Sequence, residues 1–88
     1  MSRGPAFTPS AWEDYDYWLS QDRKTLKRIN KLIEGCLRTP FEGIGKPEPL
    51  TGELHGYWSR RIDGKNRLVY GVTATTVVIL QCRDHCDD

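Results

Sequence analysis

YWSRRIDGKNRLVYGVTATTVVILQCR, residues 57–83, decides the fold. It holds three runs rich in β-branched, aromatic and long apolar residues, at 57–62, 67–72 and 76–83. Turns around Asp63-Gly64 and around residues 73–75 separate them. Asp-Gly between two such runs is a hairpin signal. Turns this short leave no room for crossover helices, so the pattern predicts an antiparallel meander and disfavours parallel pairing.

Upstream, residues 40–56 read PFEGIGKPEPLTGELHG. Three prolines and four glycines in that stretch forbid a long regular element. A connection of this length in a small domain is usually either functional or disordered, and Leu50 and Leu54 are placed to pin it to the core. Before Pro40 the periodicity is helical. A first helix starts near Thr8-Pro9-Ser10: Thr or Ser can cap it, Pro9 suits the first turn, and Ser10 with Glu13 matches a capping box. Ala11, Trp12, Tyr15, Trp18 and Leu19 make its apolar face, with Glu13, Asp14 and Asp16 off it. A second helix spans residues 22–38, with Leu26, Ile29, Leu32, Ile33, Cys36 and Leu37 as its stripe and Pro40 as its stop. Its other side carries Lys24, Lys27, Arg28 and Lys31, either a solvated face or a docking surface for an acidic partner or nucleic acid. A short strand near residues 3–7 can add an edge. The expected fold class is α+β, two N-terminal helices packed on one face of a curved antiparallel sheet.

The chain has 88 residues, which is one domain, residues 1–88. Hydrophobic residues at 38% and charged residues at 28% indicate a folded chain rather than a disordered one. A formal charge of +1 excludes a polybasic nucleic-acid binder, so any RNA contact rests on a local patch. Cys36, Cys82 and Cys86 are too few and too odd in number for a disulfide framework. The N-terminus lacks a signal-peptide run, and the longest apolar run, residues 77–80, is far short of the ~20 residues a bilayer needs. These features point to a reducing cytoplasm, with the thiols in the core and no membrane partner.

Few residues are equipped for chemistry. Glu48 stands between Pro47 and Pro49, which restrict its backbone and aim its carboxylate. Alone, it reads as a solvated glutamate on a stiff loop. Arg60 and Arg61 are neighbours in one strand and therefore point to opposite faces. For Arg61 to share a face with Arg67, the hairpin loop must hold an odd number of residues or a bulge. Guanidinium groups suit phosphate through paired hydrogen bonds. Tyr57 and Trp58 adjoin this patch and fit hairpin packing better than base stacking. His55 reads as a loop residue, whereas His85, just past the last strand, has a side-chain type suited to proton transfer near neutrality. Cys82, His85 and Cys86 match no common structural-zinc spacing, so no metal and no cofactor are expected. A carboxylate, arginines and a histidine suit metal-independent RNA cleavage. A base deprotonates the ribose 2′-OH, the oxygen attacks the adjacent phosphate, and an acid protonates the departing 5′-oxygen.

Several ordered blocks carry a resemblance: SAWEDYDYW at 10–18, INKLI at 29–33, RTPFEG at 38–43, GKPEPL at 45–50, GYWSRRI at 56–62, RLVY at 67–70, and Cys82-Arg83 with His85. Across nearly the whole chain the sequence resembles the YoeB branch of the RelE/ParE toxins, bacterial mRNA interferases of type II toxin–antitoxin systems. The resemblance implies a RelE-like microbial RNase fold that enters the ribosomal A site and cuts mRNA there. It implies Glu48 as general base, His85 as general acid and Arg67 as the phosphate-stabilising arginine. Arg61, Lys46 and Cys86 are then substrate-binding. It also implies a YefM-like cognate antitoxin with a segment that orders on binding, a homodimer, operator DNA bound only through the antitoxin, and the bacterial cytoplasm. Where the family carries an aromatic residue after the histidine this chain has Cys86, then Asp87 and Asp88; Asp84 and Thr51 are further departures. Two alternatives stand beside the nuclease: a catalytically weakened toxin that serves as antitoxin-binding co-repressor, and a ParE-like gyrase inhibitor.

Overall fold

The computed structural model describes residues 3–83. In chain order it has β1 (Gly4–Phe7), α1 (Pro9–Gln21), α2 (Arg23–Arg38), β2 (Glu48–Pro49), a short 3-10 turn (Gly52–Leu54), β3 (Trp58–Arg61), β4 (Arg67–Val72) and β5 (Thr76–Gln81). The five strands form one sheet in the order β1-β5-β4-β3-β2. The predicted meander is its centre, with β3–β4 and β4–β5 both antiparallel.

The edge strand corrects the all-antiparallel expectation. β1 runs parallel to β5, Gly4 opposite Thr76 and Phe7 opposite Ile79. Short turns do not constrain this pair, because the two helices lie between β1 and the meander and supply the crossover. Pro5 is tolerated because β1 has only one neighbour.

Thr8 caps α1, its Oγ1 accepting from the Ala11 N–H at 3.1 Å; Ser10 lies inside the helix, so the Ser10–Glu13 box is not used. Asp22 serves both helices. Its N–H donates to the Trp18 carbonyl at 2.9 Å, ending α1, and its carboxylate accepts from the Thr25 N–H at 3.2 Å, starting α2. The Thr25 hydroxyl, also donating to that carboxylate, helps hold the Asp22 pKa below the usual range.

The apolar stripe of α2 is as expected, with Leu26, Ile29, Leu32, Ile33 and Cys36 buried against Leu68, Tyr70, Val77 and Ile79 of the sheet. In α1 the buried residues are Ala11, Asp14 and Trp18, while Trp12 is 57% and Leu19 41% exposed. Asp14 turns inward because its carboxylate accepts the Cys82 N–H at 3.1 Å. Trp12 instead stacks on Tyr15 at the rim, with Phe7 edge-on to both. In the connection, Leu54 is exposed and Leu50 only half-buried, so these leucines do not pin it. A bulge at Leu80 breaks the period-two alternation of β5: Tyr70 faces Ile79 but Val69 faces Gln81. The extra residue lets Cys82 join Val77 and Ile79 in the core. No helix among the described residues is long and apolar enough to cross a membrane.

Cys36 and Cys82 are buried free thiols, as expected of core residues. Burial pushes Cys36 from 9.0 up to about 11, and burial together with Asp14 pushes Cys82 up to about 12. The folded chain therefore holds these protons more tightly than the unfolded one. Their stabilisation is complete below about pH 9 and is lost as pH rises through 9 toward the folded values. Stability should fall above pH 9 by up to about 1.4 kcal/mol per pH unit for each thiol. Urea titrations from pH 8 to 11 check this. The fall should be shallower for Cys82→Ala, and an equally steep fall would assign it elsewhere.

Candidate active site

The short β2 strand places Glu48. It pairs with β3 so that Glu48 faces Ser59 and Pro49 faces Trp58. Across β3, Arg61 faces Arg67 of β4. The intervening loop is residues 62–66, an odd count, which meets the parity demand read from the sequence. Its turn is held by Asp63, whose Oδ1 accepts the N–H groups of Lys65 at 2.8 Å and Asn66 at 2.7 Å.

Register partners share a face, and so do residues two apart in a strand. Glu48, Ser59, Arg61, Arg67 and Val69 therefore lie on the face turned away from the helices, and Arg60, Leu68 and Tyr70 on the helix face. Glu48 and Arg67 meet directly, Arg67 Nη1 donating to Glu48 Oε1 at 3.2 Å. Their side chains are 57% and 43% exposed, so the pair is worth at most about 1 kcal/mol and is readily exchanged for another anion. Arg61 is exposed and has no ion-pair or hydrogen-bond partner for its guanidinium among the described residues. Two arginines directly opposed across strands repel each other. A phosphate between them removes that repulsion and accepts from both forks. Ser59 is buried, and its hydroxyl has no hydrogen-bond partner among the described residues.

Lys46 is exposed, two residues before Glu48, with a left-handed backbone (φ 50°). Its neighbour Gly45 accepts the Arg61 N–H at 2.7 Å, which brings Lys46 to the Arg61 edge of the site. His85 and Cys86 lie outside the described residues. The register sets Gln81 opposite Val69, so Cys82 and Arg83 leave the sheet at the end of β4 that carries Arg67. Cys82 itself is buried, its Sγ 3.8 Å from the Ala11 carbonyl. No cluster suited to a metal ion occurs among the described residues.

Trp58 packs on Phe41, ring centroids 4.9 Å apart, which agrees with the packing role expected of it. Tyr57 covers Gly71, where an added Cβ would sit 2.8 Å from its ring. Of the basic face of α2, Lys24, Lys27 and Lys31 are exposed, while Arg28 donates to the carbonyls of Ile62 and Arg61 at 3.4 and 3.3 Å. His55 is an exposed loop residue.

An acidic residue paired with one of two facing arginines, on an open sheet face, now meets an independent comparison. Residues 7–86 match the family described as "YoeB-like toxin of bacterial type II toxin-antitoxin system". The chain belongs to the YoeB toxins. Toxin YoeB of Streptomyces coelicolor is 58% identical over 79 residues, 90% of this chain and 94% of that protein. The YoeB/ParE toxin from Agrobacterium tumefaciens superposes with a TM-score of 0.90 at 45% identity, covering 94% of this chain and 99% of that one. Staphylococcus aureus YoeB matches as a dimer, with a TM-score of 0.88 at 44% identity. In its heterotetrameric complex with YefM the TM-score is 0.89 at 44% identity. Each of these two covers 96% of this chain and 98% of the other. The mixed sheet with two helices is thus the fold of YoeB toxins, and the face that holds Glu48 and Arg67 belongs to that fold.

Proposed function

We propose that this YoeB toxin is a metal-independent endoribonuclease that cuts mRNA in the A site of the bacterial ribosome. The observation that carries the reading is the Glu48–Arg67 pair facing an unpartnered Arg61 on one open sheet face. Glu48 takes the proton of a ribose 2′-OH. The 2′-oxygen forms a bond to phosphorus as the bond to the 5′-oxygen breaks. Arg67 leaves Glu48 for the phosphate, where it and Arg61 offset the charge that builds on the non-bridging oxygens. His85 gives the leaving 5′-oxygen its proton. Lys46 and Cys86 contact the message beside the cut. DNA lacks the 2′-OH and is spared.

The same reading accounts for the near-neutral chain, with its formal charge of +1. The ribosome presents the message, so the toxin needs no large basic footprint of its own. The partners of S. aureus YoeB support a YefM-like antitoxin for this chain and a homodimer in its absence. Operator DNA is then reached only through the antitoxin, and the site of action is the bacterial cytoplasm.

The test is the end chemistry of the products. Ribosomes programmed with a short message should yield fragments ending in a 2′,3′-cyclic phosphate, followed by fragments starting with a 5′-hydroxyl, in the presence of EDTA-treated toxin. A message with a 2′-deoxy residue at the cut position should resist. Fragments ending in a 3′-hydroxyl, or DNA breaks without mRNA cleavage, would overturn the assignment.

A further inference from the structure

Arg60 is completely buried, yet its partners are not carboxylates. Its Nη2 donates to the carbonyls of Thr39 at 2.7 Å and Glu42 at 2.9 Å, and its Nη1 to the carbonyl of Ile44 at 3.2 Å. Its Nε donates to the Tyr70 hydroxyl at 3.1 Å, and that hydroxyl donates in turn to the Pro40 carbonyl at 2.6 Å. A buried cation without a counter-charge is costly unless oriented dipoles surround it. Here four successive-turn carbonyls, from residues 39, 40, 42 and 44, are gathered around one guanidinium and its phenol.

The chain is shaped to fit this group. A Cβ on Gly35 of α2 would sit 2.9 Å from Arg60 Nη1, so helix and guanidinium can approach this closely only at glycine. Gly45 has φ +83°, and a Cβ there would lie 2.7 Å from Leu32 Cδ2 and 3.1 Å from Arg60 Cβ. From Gly45 to Pro49 the chain is constrained at each step: the Gly45 carbonyl accepts the Arg61 N–H, Lys46 is left-handed, and Pro47 and Pro49 flank Glu48. Ser59, Arg60 and Arg61 thus act from both faces of one strand. Ser59 and Arg61 border the site, and Arg60 holds the loop that delivers the carboxylate.

We propose that Arg60 is a positioning residue for Glu48, a buried latch that fixes residues 39–46 and so sets where the carboxylate stands relative to Arg67. This rests on the nuclease reading for its kinetic consequence but not for its structural one. A misplacement of about 1 Å at a reacting group can cost on the order of 100-fold in rate.

The experiment compares Arg60→Lys and Tyr70→Phe with the unaltered toxin, each assayed well below its own Tm. Lysine keeps the charge but cannot reach three carbonyls at once. Phenylalanine keeps the ring and removes one acceptor and one donor, so it reports even where Arg60→Lys does not fold. Single-turnover cleavage on ribosomes should show kcat lowered about 100-fold for Arg60→Lys and about tenfold for Tyr70→Phe, with KM little changed. Hydrogen exchange at the Arg61 amide, which bonds Gly45, should quicken about tenfold in both, while amides between β4 and β5 keep their protection. A folded variant with unaltered kcat, or unaltered exchange at Arg61, overturns the proposal. If the unaltered toxin does not cleave, the nuclease reading fails, and the exchange result alone then decides whether Arg60 holds the loop.

Discussion

Arg67→Ala is expected to lower cleavage of ribosome-bound mRNA by roughly 100- to 1,000-fold, an effect carried by kcat. In the free toxin Arg67 is occupied by Glu48 at 3.2 Å, through a pair too exposed to contribute much to stability. Its removal should therefore leave Tm nearly unchanged, which separates a catalytic loss from an unfolded chain. The same loss should appear in Arg67→Lys, because an ammonium cannot present two parallel donors to a phosphate. Arg61→Ala should cost less, about tenfold: Arg61 sits on β3, between the strands of Glu48 and Arg67, but makes no ion pair with the carboxylate, so its loss removes one of two cations at the phosphate and leaves the exchange between Glu48 and Arg67 intact. Glu48→Ala and His85→Ala belong with Arg67→Ala, and alanine at Lys27 or Lys31 should raise KM alone. Single-turnover rates measured over a range of toxin concentrations, which separate the maximal rate from the half-saturation point, check the order. Arg67→Ala cleaving at the unaltered rate would remove Arg67 from the reaction, and Arg61→Ala as the worse variant would reverse the roles of the two arginines.

The placement of these residues is legible in the sequence for physical reasons. The period-two rule puts Arg60 and Arg61 on opposite faces, and an odd hairpin loop brings Arg61 opposite Arg67. The stripe of α2 follows from the helical period alone, because every member meets the same sheet face. What sequence spacing leaves out is set by partners far along the chain. Asp14 is buried through an N–H sixty-eight residues away, at Cys82. β1 is too short to show alternation, and its parallel partner comes after both helices. The two-residue β2 is invisible for the same reason, although the prolines around Glu48 marked the place. Which of two adjacent arginines turns inward was open to a parity count from Leu68 and Tyr70, both core types on one hairpin. The glycines at 35, 43 and 45 are the further signal, since the first two face that guanidinium and the third lies against the Cβ of the same arginine.

Trp18→Ala should destabilise the chain by roughly 3–5 kcal/mol. Trp18 is a large core side chain of α1 whose Nε1 also donates to the Cys82 carbonyl at 2.8 Å. Both the cavity and the orphaned carbonyl enter that figure. At roughly 4–8 °C per kcal/mol for a domain of this size, the Tm should drop by about 12–40 °C. Trp18→Phe refills much of the volume and loses only the hydrogen bond, so it should cost roughly 1–3 kcal/mol. The consequence for function comes from the other atom of the same residue. Asp14 accepts the Cys82 N–H while Trp18 binds the Cys82 carbonyl, and the Arg83 guanidinium lies 3.6 Å over the Tyr17 ring. Three side chains of one helix thus grip Cys82 and Arg83, the two residues that follow β5, the second of them two positions before His85. Asp14→Ala frees the N–H and Trp18→Phe the carbonyl. Both should therefore lower the cleavage rate by more than their stability loss explains, measured at a temperature where each variant is fully folded. Thermal melts paired with single-turnover cleavage decide the matter. A folded Trp18→Phe or Asp14→Ala that cleaves like the unaltered toxin would reduce the grip on Cys82 to core packing alone.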